Sequence, residues 1–366
     1  MRKLLIIVLA LVSLGLSNAQ TTGVQPVITV TLLGTGVPLL NPAALAAGGR
    51  ALSGLMVQAG METMLFDCGQ GVYDRLIQTG NLGIDRVFIS HLHSDHIGDL
   101  GALFAVGALY RYVNPNDPAA DDPLKVYGPA GSANQPVPTW AMMQAFRSAY
   151  DTDFYVRQLF TNPNDFSLTN AAVETLNSTT EIAPGVVYQN NGVTVTAFLV
   201  DHNPMMPAYG YRVDYAGHSF VYSGDTTFST NLIANAQHVD LLVHEVYGYP
   251  RDEGPEIYDY HTSPEAAAVV FLQTQPTQAV FTHLVIPPGT TANELVSRTR
   301  AAGYTGPLTP GVDLMVINVN SDFSVTIKPP AGGSAPTLSE RKATSDFIEI
   351  ARARQRRQVK QTTITK

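Results

Sequence analysis

Short apolar runs alternate with turns that contain glycine, proline or asparagine along much of the chain. Runs of this length, rich in β-branched residues, are typical of β-strands. The predicted strands are Val27–Leu33, Leu55–Gln58, Met64–Phe66, Arg86–Ile89, Val126–Tyr127, Val193–Leu199, Gly210–Tyr215, Ser219–Tyr222, Leu241–His244 and Ala279–Thr282. Apolar residues at helical spacing predict helices at Val72–Gln78, Asp99 to about Tyr112, Thr139–Ser148 and Ser263–Gln273. Strands that are followed by helices favour an α/β (α+β) fold.

Three segments depart from this pattern. Residues Asn114–Pro123 are rich in proline, asparagine and aspartate, which predicts a surface loop. Residues Thr161–Asn191 are polar and weakly periodic, so we expect an insertion at about residues 112–190 rather than a separate domain. Residues Ala331–Lys366 begin with a linker composition and continue with a basic helical pattern, which predicts a mobile or surface-docked tail.

The N-terminus has the composition of a secretory signal. Arg2 and Lys3 precede an apolar stretch over Leu4–Leu16, and small residues lead to a cleavage site after Ala19. The stretch is short against the ~20 residues that a membrane-spanning helix needs. We therefore expect Met1–Ala19 to be removed and the protein to be exported, to the periplasm or the medium, with a folded domain over residues 20–330.

The net charge argues against nucleic acid as a partner. The whole chain carries −8, of which the first twenty residues contribute +2 and Ala331–Lys366 contribute +5. The remaining body, Thr21–Pro330, therefore carries −15. Proteins that bind nucleic acid neutralise phosphates with basic surfaces, so a nucleic-acid partner is not expected from this charge.

A single cysteine, Cys68, occurs in the chain, so no intramolecular disulfide can form. It ends an apolar run and is interpreted as a small buried residue rather than a nucleophile. Stability must therefore come from the apolar core, with a bound metal as a further contribution.

A dense group of metal-binding side chains follows the predicted strand Arg86–Ile89. Four potential ligands, His91, His93, Asp95 and His96, fall within six residues. A tight loop after a strand can direct successive side chains into one cavity, and imidazole and carboxylate groups are the ligands that Zn²⁺ prefers. The alternative, a solvated polar turn, does not account for three histidines in six positions.

The pattern H-x-H-x-D-H after an apolar strand resembles the signature of the metallo-β-lactamase superfamily. Three further segments, each at a strand end, are similar to the downstream ligands of that family: Asp201-His202, Ser223-Gly224-Asp225-Thr226 and Thr282-His283. The resemblance covers about Val27 to Val316 and implies a four-layer αββα sandwich.

Other motifs are similar to the ribonuclease Z and arylsulfatase-like branch of the superfamily. They are Leu33-Gly34-Thr35-Gly36, Phe66-Asp67-Cys68-Gly69, Tyr209-Gly210-Tyr211-Arg212, His244-Glu245 and His261-Thr262-Ser263. The chain departs from long-form ribonuclease Z proteins in lacking an obvious basic, glycine-rich arm for tRNA. Together with the predicted export and the acidic body, this departure makes a tRNA substrate unexpected.

The resemblance implies a role for each motif. His91, His93 and His202 would hold one metal ion, Asp95, His96 and His283 a second, and Asp225 would bridge the two. Two Zn²⁺ ions, with Mn²⁺ or Fe²⁺ as alternatives, would activate a water molecule. Asp95 is also counted as catalytic, His261 is the candidate general acid and Glu245 its orienting partner. A helix-capping role for His261 is the alternative. Asp67 would fix a ligand imidazole, or would be a turn residue.

Four other features lie near these motifs. His218 follows a hairpin turn and is expected to be exposed, and His244 is interpreted as a core residue, with a position facing the site as the alternative. The segment Asn203–Pro207 is apolar for a loop and predicts an apolar wall for a leaving group or a packed lid beside His202. A cluster of tyrosines between Glu245 and His261 predicts a loop that shapes the substrate site: Tyr247, Tyr249, Tyr258 and Tyr260.

These observations predict an exported, binuclear zinc hydrolase of an aryl sulfate or a phosphodiester, with a small ester as its substrate. The alternatives are a ribonuclease Z-like endoribonuclease of the tRNA 3′ processing type, a lactone or carboxylic-ester hydrolase, and a binding module without catalysis. We expect no transmembrane segment after signal removal, and a homodimer is compatible with the resemblance.

Overall fold

A computed structural model of the chain describes residues 23–38, 49–81, 84, 86–113, 124–158, 177–250 and 259–330. The strands within these ranges are β1 Pro26–Gly34, β2 Gly54–Ala59, β3 Glu62–Phe66, β4 Arg86–Phe88, β5 Lys125–Pro129, β6 Thr180–Ile182, β7 Gly185–Asn190, β8 Val193–Val200, β9 Ala208–Tyr215, β10 His218–Tyr222, β11 Leu241–Tyr247, β12 Gln278–Val285, β13 Leu308–Pro310, β14 Val316–Asn320 and β15 Val325–Lys328. The helices are α1 Val72–Thr79, α2 Ser94–Ile97, α3 Leu100–Val113, α4 Thr139–Gln158, α5 Thr230–Asn235, α6 Pro264–Thr274 and α7 Ala292–Ala301. None of these helices is long and apolar enough to cross a bilayer.

The strands form two mixed sheets. The first has the order β15-β14-β1-β2-β3-β4-β5-β6 and the second the order β13-β12-β11-β10-β9-β8-β7. Strands β3 to β6 run parallel to one another in the first sheet, and strands β10 to β13 do so in the second. Strand β8 runs antiparallel to β9, which runs antiparallel to β10. The carboxyl ends of β8, β10, β11 and β12 therefore share one edge of the second sheet.

Side chains alternate between the two faces of each sheet, as the period of two predicts. In β1, Ile28, Val30 and Leu32 face the second sheet, whereas Leu33 faces the helices outside. Helices α1, α3 and α4 cover the outer face of the first sheet, and α5, α6 and α7 cover that of the second. The predicted four-layer αββα sandwich is confirmed.

The structure differs from the sequence prediction in the segment that was expected to be an insertion. Within about 112–190, strand β5 and helix α4 pack in the first half of the sandwich, and β6 and β7 close one edge of each sheet. Ile182 is buried in β6, but β7 is exposed at both ends and only half-buried at Val187 and Tyr188. Edge strands of this kind lack an apolar pattern, so Thr161–Asn191 gives no strand signal. Helix α4 also runs ten residues beyond its predicted end at Ser148.

A buried carboxylate joins the two sheets at this edge. Glu62, at the start of β3, accepts hydrogen bonds from the Tyr188 hydroxyl at 2.7 Å, from Asn190 Nδ2 at 3.1 Å and from Asn191 Nδ2 at 2.7 Å. Its Oε2 also lies 2.9 Å from Arg86 Nη1. The three donors from β7 and the turn after it hold the second sheet against β3 of the first, and Arg86 of β4 neutralises the same carboxylate.

Candidate metal centre

The predicted ligands lie at the carboxyl ends of strands from both sheets. The first sheet contributes the loop after β4 and the short helix α2, which carry His91, His93, Asp95 and His96. The second sheet contributes His202 after β8, Asp225 after β10 and His283 within β12. All of these side chains are buried except the half-buried His93. The structure thus brings together all seven residues that were predicted from the sequence as ligands.

One group of potential ligand atoms consists of three imidazoles and a carboxylate. His91 Nε2 lies 2.9 Å from His93 Nδ1, and His202 Nε2 lies 3.2 Å from the same atom. Asp225 Oδ2 lies 3.8 Å from His91 Nε2 and 4.0 Å from His202 Nε2. These four atoms face one another across a space that none of their side chains fills.

A second group shares the same carboxylate oxygen. Asp225 Oδ2 lies 3.2 Å from His96 Nε2 and 3.2 Å from His283 Nε2. Asp95 Oδ2 lies 3.2 Å from His283 Nε2 and 3.7 Å from His96 Nε2. Because Asp225 Oδ2 belongs to both groups, it occupies the bridging position that the resemblance implies.

The two groups fit divalent cations. Ligand atoms that are ~2.0–2.2 Å from a tetrahedral ion lie ~3.3–3.6 Å from one another, close to the spacings found here. His96 Nε2, Asp225 Oδ1 and His283 Nδ1 are buried and have no hydrogen-bond partner among the described residues. Buried polar atoms without a partner are costly, and a coordinated ion would satisfy His96 Nε2, the one of these three atoms that belongs to a ligand group.

Hydrogen bonds at Nδ1, the ring nitrogen that points away from the ligand groups, set the tautomers of three imidazoles. His96 Nδ1 donates to Asp67 Oδ2 at 2.7 Å, and His202 Nδ1 donates to the Tyr260 carbonyl at 2.8 Å. Ser90 Oγ donates to Asp67 Oδ2 at 2.7 Å, so it can accept from His91 Nδ1 at 3.0 Å. Each ring then has its Nε2 lone pair directed at the other ligands. The structure places Asp67 behind His96, where the sequence expected it to fix a ligand.

The pKa values of three ligands, His91, His202 and Asp225, favour metal binding, whereas that of His96 favours a positive charge at the same place. Burial lowers the pKa of His91 well below its usual value and that of His202 to about 4, so both rings are neutral. Burial would raise the pKa of Asp225, but His283 and His96 outweigh it and hold that pKa well below the usual range. Burial also lowers the pKa of His96, yet Asp225 and Asp67 raise it well above normal. A proton on His96 Nε2 faces Asp225, where a cation would supply the same positive charge.

Glu245 and His261 form a second functional pair beside the ligands. His261 Nδ1 lies 2.8 Å and 3.0 Å from the two oxygens of Glu245. Burial lowers the pKa of His261, but the charge and hydrogen bond of Glu245 outweigh it and raise the pKa to about 9. The Thr226 N–H donates to Glu245 Oε1 at 2.6 Å and so fixes the carboxylate. The His261 ring stacks on the His283 ring with centroids 5.4 Å apart, which places the proton-bearing ring next to a ligand.

The remaining histidines lie outside the ligand groups. His244 is buried, donates from Nδ1 to the Glu245 carbonyl and packs edge-on against Phe271, as the core interpretation predicted. His238 is exposed. The expectation that His218 is exposed is wrong, because its ring lies under Phe323 and only 4% of the residue is accessible. Cys68 is fully buried, as expected.

The Asn203–Pro207 segment, expected as an apolar wall or lid beside His202, packs as part of the structure. The Met206 side chain contacts the helix-covered core of the second sheet. The Met206 carbonyl accepts a hydrogen bond from Ser132 Oγ at 2.5 Å. Of the four tyrosines expected to shape the substrate loop, Tyr247, Tyr249 and Tyr260 lie beside His261 or each other, whereas Tyr258 falls outside the described residues.

Sequence reasoning missed the residues that support Asp67. Tyr222 Oη donates to Asp67 Oδ2 at 2.8 Å and lies 3.0 Å from Ser53 Oγ. Both residues are buried: Tyr222 ends the apolar strand β10, and Ser53 directly precedes β2. Tyr222 stands three positions before Asp225, and its place in the motif was the only available signal.

Comparison with known proteins agrees with the geometry. The family described as "Beta-lactamase superfamily domain" matches residues 62–284. A protein named ribonuclease Z from Mycobacterium avium (strain 104) is 33% identical over 306 residues, which cover 80% of this chain and 99% of that protein. Another ribonuclease Z, from Mycobacterium sp. (strain KMS), is 34% identical over 311 residues, which cover 82% and 99%.

Solved structures share the fold. Human tRNase Z, short form, has a TM-score of 0.54 at 20% identity, with 80% of this chain and 99% of that chain covered. The metallo-beta-lactamase fold protein YhfI from Bacillus subtilis has a TM-score of 0.55 at 20% identity, with the same coverage. The chain belongs to the metallo-β-lactamase superfamily, in its ribonuclease Z branch, and is a metal-dependent hydrolase that acts on ester bonds.

Proposed function

We propose that the protein is a ribonuclease Z-like phosphodiesterase that hydrolyses a phosphodiester bond of RNA. The observation that carries this proposal is the pair of ligand groups sharing Asp225 Oδ2, with the Glu245–His261 pair beside them. The relatives named ribonuclease Z span nearly their whole length on this chain, which favours RNA over the aryl sulfate expected from the sequence.

The residues divide the work as follows. His91, His93 and His202, with Asp225, would hold one divalent ion, and Asp95, His96 and His283, again with Asp225, would hold the other. Two bound divalent ions supply a water nucleophile near neutral pH and stabilise charge on the attacked phosphate. Zinc is the proposed metal, because imidazole and carboxylate ligands in fourfold groups are typical of it.

His261 is the proposed proton donor to the leaving oxygen. Its Nδ1 is engaged by Glu245, which leaves Nε2 as the atom that can donate to substrate. With a pKa raised to about 9, the ring carries its proton at neutral pH. Glu245 holds the ring in position and stabilises its charged form, which is the arrangement that general acid catalysis needs.

A second candidate, hydrolysis of a small phosphodiester, is favoured by one observation. The body of the chain from Thr21 to Pro330 carries −15, and a long polyanion would be repelled by it at low ionic strength. A small substrate can reach the buried metal groups without covering that surface. The aryl sulfate and carboxylic ester remain arms of the test below.

The test compares four substrates with the zinc-loaded protein: a short RNA with a 3′ extension, bis(p-nitrophenyl) phosphate, p-nitrophenyl sulfate and p-nitrophenyl acetate. Cleavage of the RNA supports the first candidate. Hydrolysis of bis(p-nitrophenyl) phosphate without cleavage of the RNA supports the second candidate. Turnover of the sulfate or acetate without either diester would overturn both. Asp225→Asn is the matched inactive control.

We also propose that the protein is exported, on the strength of the signal-like residues Met1–Ala19. Expression of the full chain with a C-terminal tag should give a mature form that begins at Gln20 outside the cytoplasm. Recovery of an uncleaved form in the cytoplasm would refute export and would leave the catalytic proposal intact.

A further inference from the structure

A buried tyrosine hydroxyl joins the two sheets directly behind the metal groups. Tyr222 is the last residue of β10 in the second sheet, and Asp67 follows β3 in the first. Their hydrogen bond, from Tyr222 Oη to Asp67 Oδ2, measures 2.8 Å. Tyr222 is 1% exposed and Asp67 is fully buried, so water cannot replace either partner.

The Asp67 carboxylate is saturated by donors from four directions. Oδ1 accepts the Ser90 N–H at 2.7 Å, whereas Oδ2 accepts Ser90 Oγ at 2.7 Å, His96 Nδ1 at 2.7 Å and the Tyr222 hydroxyl at 2.8 Å. Only His96 among these donors is a candidate ligand. The other three therefore fix the carboxylate that orients the His96 ring, two of them at Oδ2 and one at Oδ1.

The hydrogen bonds of the Tyr222 hydroxyl run in one direction. Its single proton goes to Asp67, so the Ser53 hydroxyl at 3.0 Å donates to the Tyr222 oxygen. Burial and the Asp67 charge raise the pKa of Tyr222 well above normal, and the hydroxyl keeps its proton. Ser53 thus donates to Tyr222 and Tyr222 to Asp67, which also accepts from His96 Nδ1, so that one hydrogen-bond network links Ser53 to a ligand ring.

We propose that Tyr222 is a positioning residue for the metal group that contains His96, acting through Asp67. The hydroxyl sets the Asp67 carboxylate in the plane and at the height where it holds His96 with Nε2 directed at Asp225 and His283. Because Tyr222 belongs to the strand that leads into Asp225, the same hydrogen bond holds the ligand loop of the first sheet against that of the second. The inference rests on the proposed metal-dependent function, since it assigns a supporting residue to one of its two metal groups.

The chain offers a matched control in Tyr211. This tyrosine lies in β9 of the second sheet, is fully buried and donates its hydroxyl to the Ile89 carbonyl of the first sheet at 2.6 Å. Replacing either tyrosine with phenylalanine therefore removes one buried hydroxyl bond between the sheets. Only Tyr222 contacts the carboxylate behind His96.

The experiment measures zinc binding by competition with a chromophoric chelator, in the wild-type protein, Tyr222→Phe and Tyr211→Phe, without substrate. Loss of a hydrogen bond that supports a ligand typically weakens metal affinity by ~10-fold or more. We expect Tyr222→Phe to bind one of its two zinc equivalents about 10-fold more weakly and Tyr211→Phe to match the wild type. In ¹⁵N-histidine spectra of the zinc-loaded proteins, Tyr222→Phe should shift the Nδ1–H signal of His96, and Tyr211→Phe should leave it unchanged.

Two results would overturn the inference: wild-type zinc affinity in Tyr222→Phe, or an equal loss in both variants, which would indicate a purely structural role. If Tyr222→Phe does not fold, Ser53→Ala takes its place, and unchanged zinc affinity there overturns the inference equally. Failure of the wild-type protein to bind zinc would instead refute the proposed function, so the two failures are distinguishable.

Discussion

The role of His261 predicts that its importance depends on the leaving group. An alkoxide leaving from RNA needs a proton, whereas p-nitrophenolate departs readily without one. General acid catalysis contributes ~10²–10⁴-fold, so His261→Ala should reduce kcat on RNA by at least ~10²-fold. The same variant should lose much less on bis(p-nitrophenyl) phosphate, because the metal ligands are untouched.

The geometry also sets the magnitude for Glu245→Gln. With a pKa of about 9, His261 is almost fully protonated at pH 7. A ring with the ordinary pKa of ~6.5 would be protonated in only about a quarter of molecules at pH 7 and in about 3% at pH 8. Glu245→Gln should therefore lose at least ~4-fold on RNA at pH 7 and ~30-fold at pH 8.

The assay is steady-state kcat on both substrates for the wild type, His261→Ala, Glu245→Gln and the double variant. Because Glu245 acts through His261, the double variant should be no slower than His261→Ala. The exposed His238 provides a control, and His238→Ala should match the wild type on both substrates. Equal losses on RNA and on the nitrophenyl diester would refute the general acid role, as would additive losses in the double variant.

Three further predictions follow from the same contacts. Activity on RNA should be constant at low pH and should fall as the pH rises through an apparent pKa at or below about 9. The reason is that His261 then loses its proton, and bound cations favour that loss. A pH–rate profile without this fall would contradict the assignment. A strong chelator should abolish activity, and added zinc should restore it. Asp225→Asn should weaken the binding of both zinc ions, because Asp225 Oδ2 belongs to both ligand groups. If metal analysis showed the loss of only one zinc ion per chain, Asp225 would not be a bridging ligand. Glu62→Ala should lower the free energy of unfolding, measured in urea, by ~3–5 kcal/mol, because it breaks a buried charged pair with Arg86. The folded variant should keep its zinc affinity, since Glu62 lies at the end of β3 that is far from the ligands. Tyr188→Phe should lower the free energy of unfolding by only ~1 kcal/mol, and equal losses in the two variants would mean that the pair with Arg86 contributes little.

The ligands could be predicted from the sequence because their signal is local. His91, His93, Asp95 and His96 are polar residues that directly follow an apolar strand, and such residues have no role in a core. The order of the later ligands came from the family resemblance. Their convergence follows from parallel strands, whose carboxyl ends lie at one edge of a sheet.

The supporting contacts could not be predicted in this way. Tyr222 occupies an inward-facing position of an apolar strand and has the pattern of a core residue, while its partner Asp67 is 155 positions away. Strands β6 and β7 escaped notice for the related reason that exposed edge strands carry little apolar periodicity. In both cases the information lies in the pairing of distant segments rather than in either segment alone.

The charge of the centre bears on the conflict between an acidic body and an anionic substrate. Asp67, Asp95 and Asp225 are buried together, and their partners are imidazoles, hydroxyl groups and a backbone N–H. Two divalent cations would bring four positive charges, one more than the three carboxylates carry. The positive charge of protonated His261 offsets the negative charge of Glu245. The filled centre would thus carry a net positive charge beneath a surface of the opposite sign. Because exposed charges are screened within ~8 Å at physiological salt while buried charges are screened much less, the body slows the approach of a polyanion and the centre still binds its phosphate. The rate constant for RNA capture should therefore first rise with salt concentration and fall only at higher salt, where the binding of RNA weakens. A rate constant that falls over the whole range of salt would mean that a basic segment, such as residues Ala331–Lys366, guides the substrate.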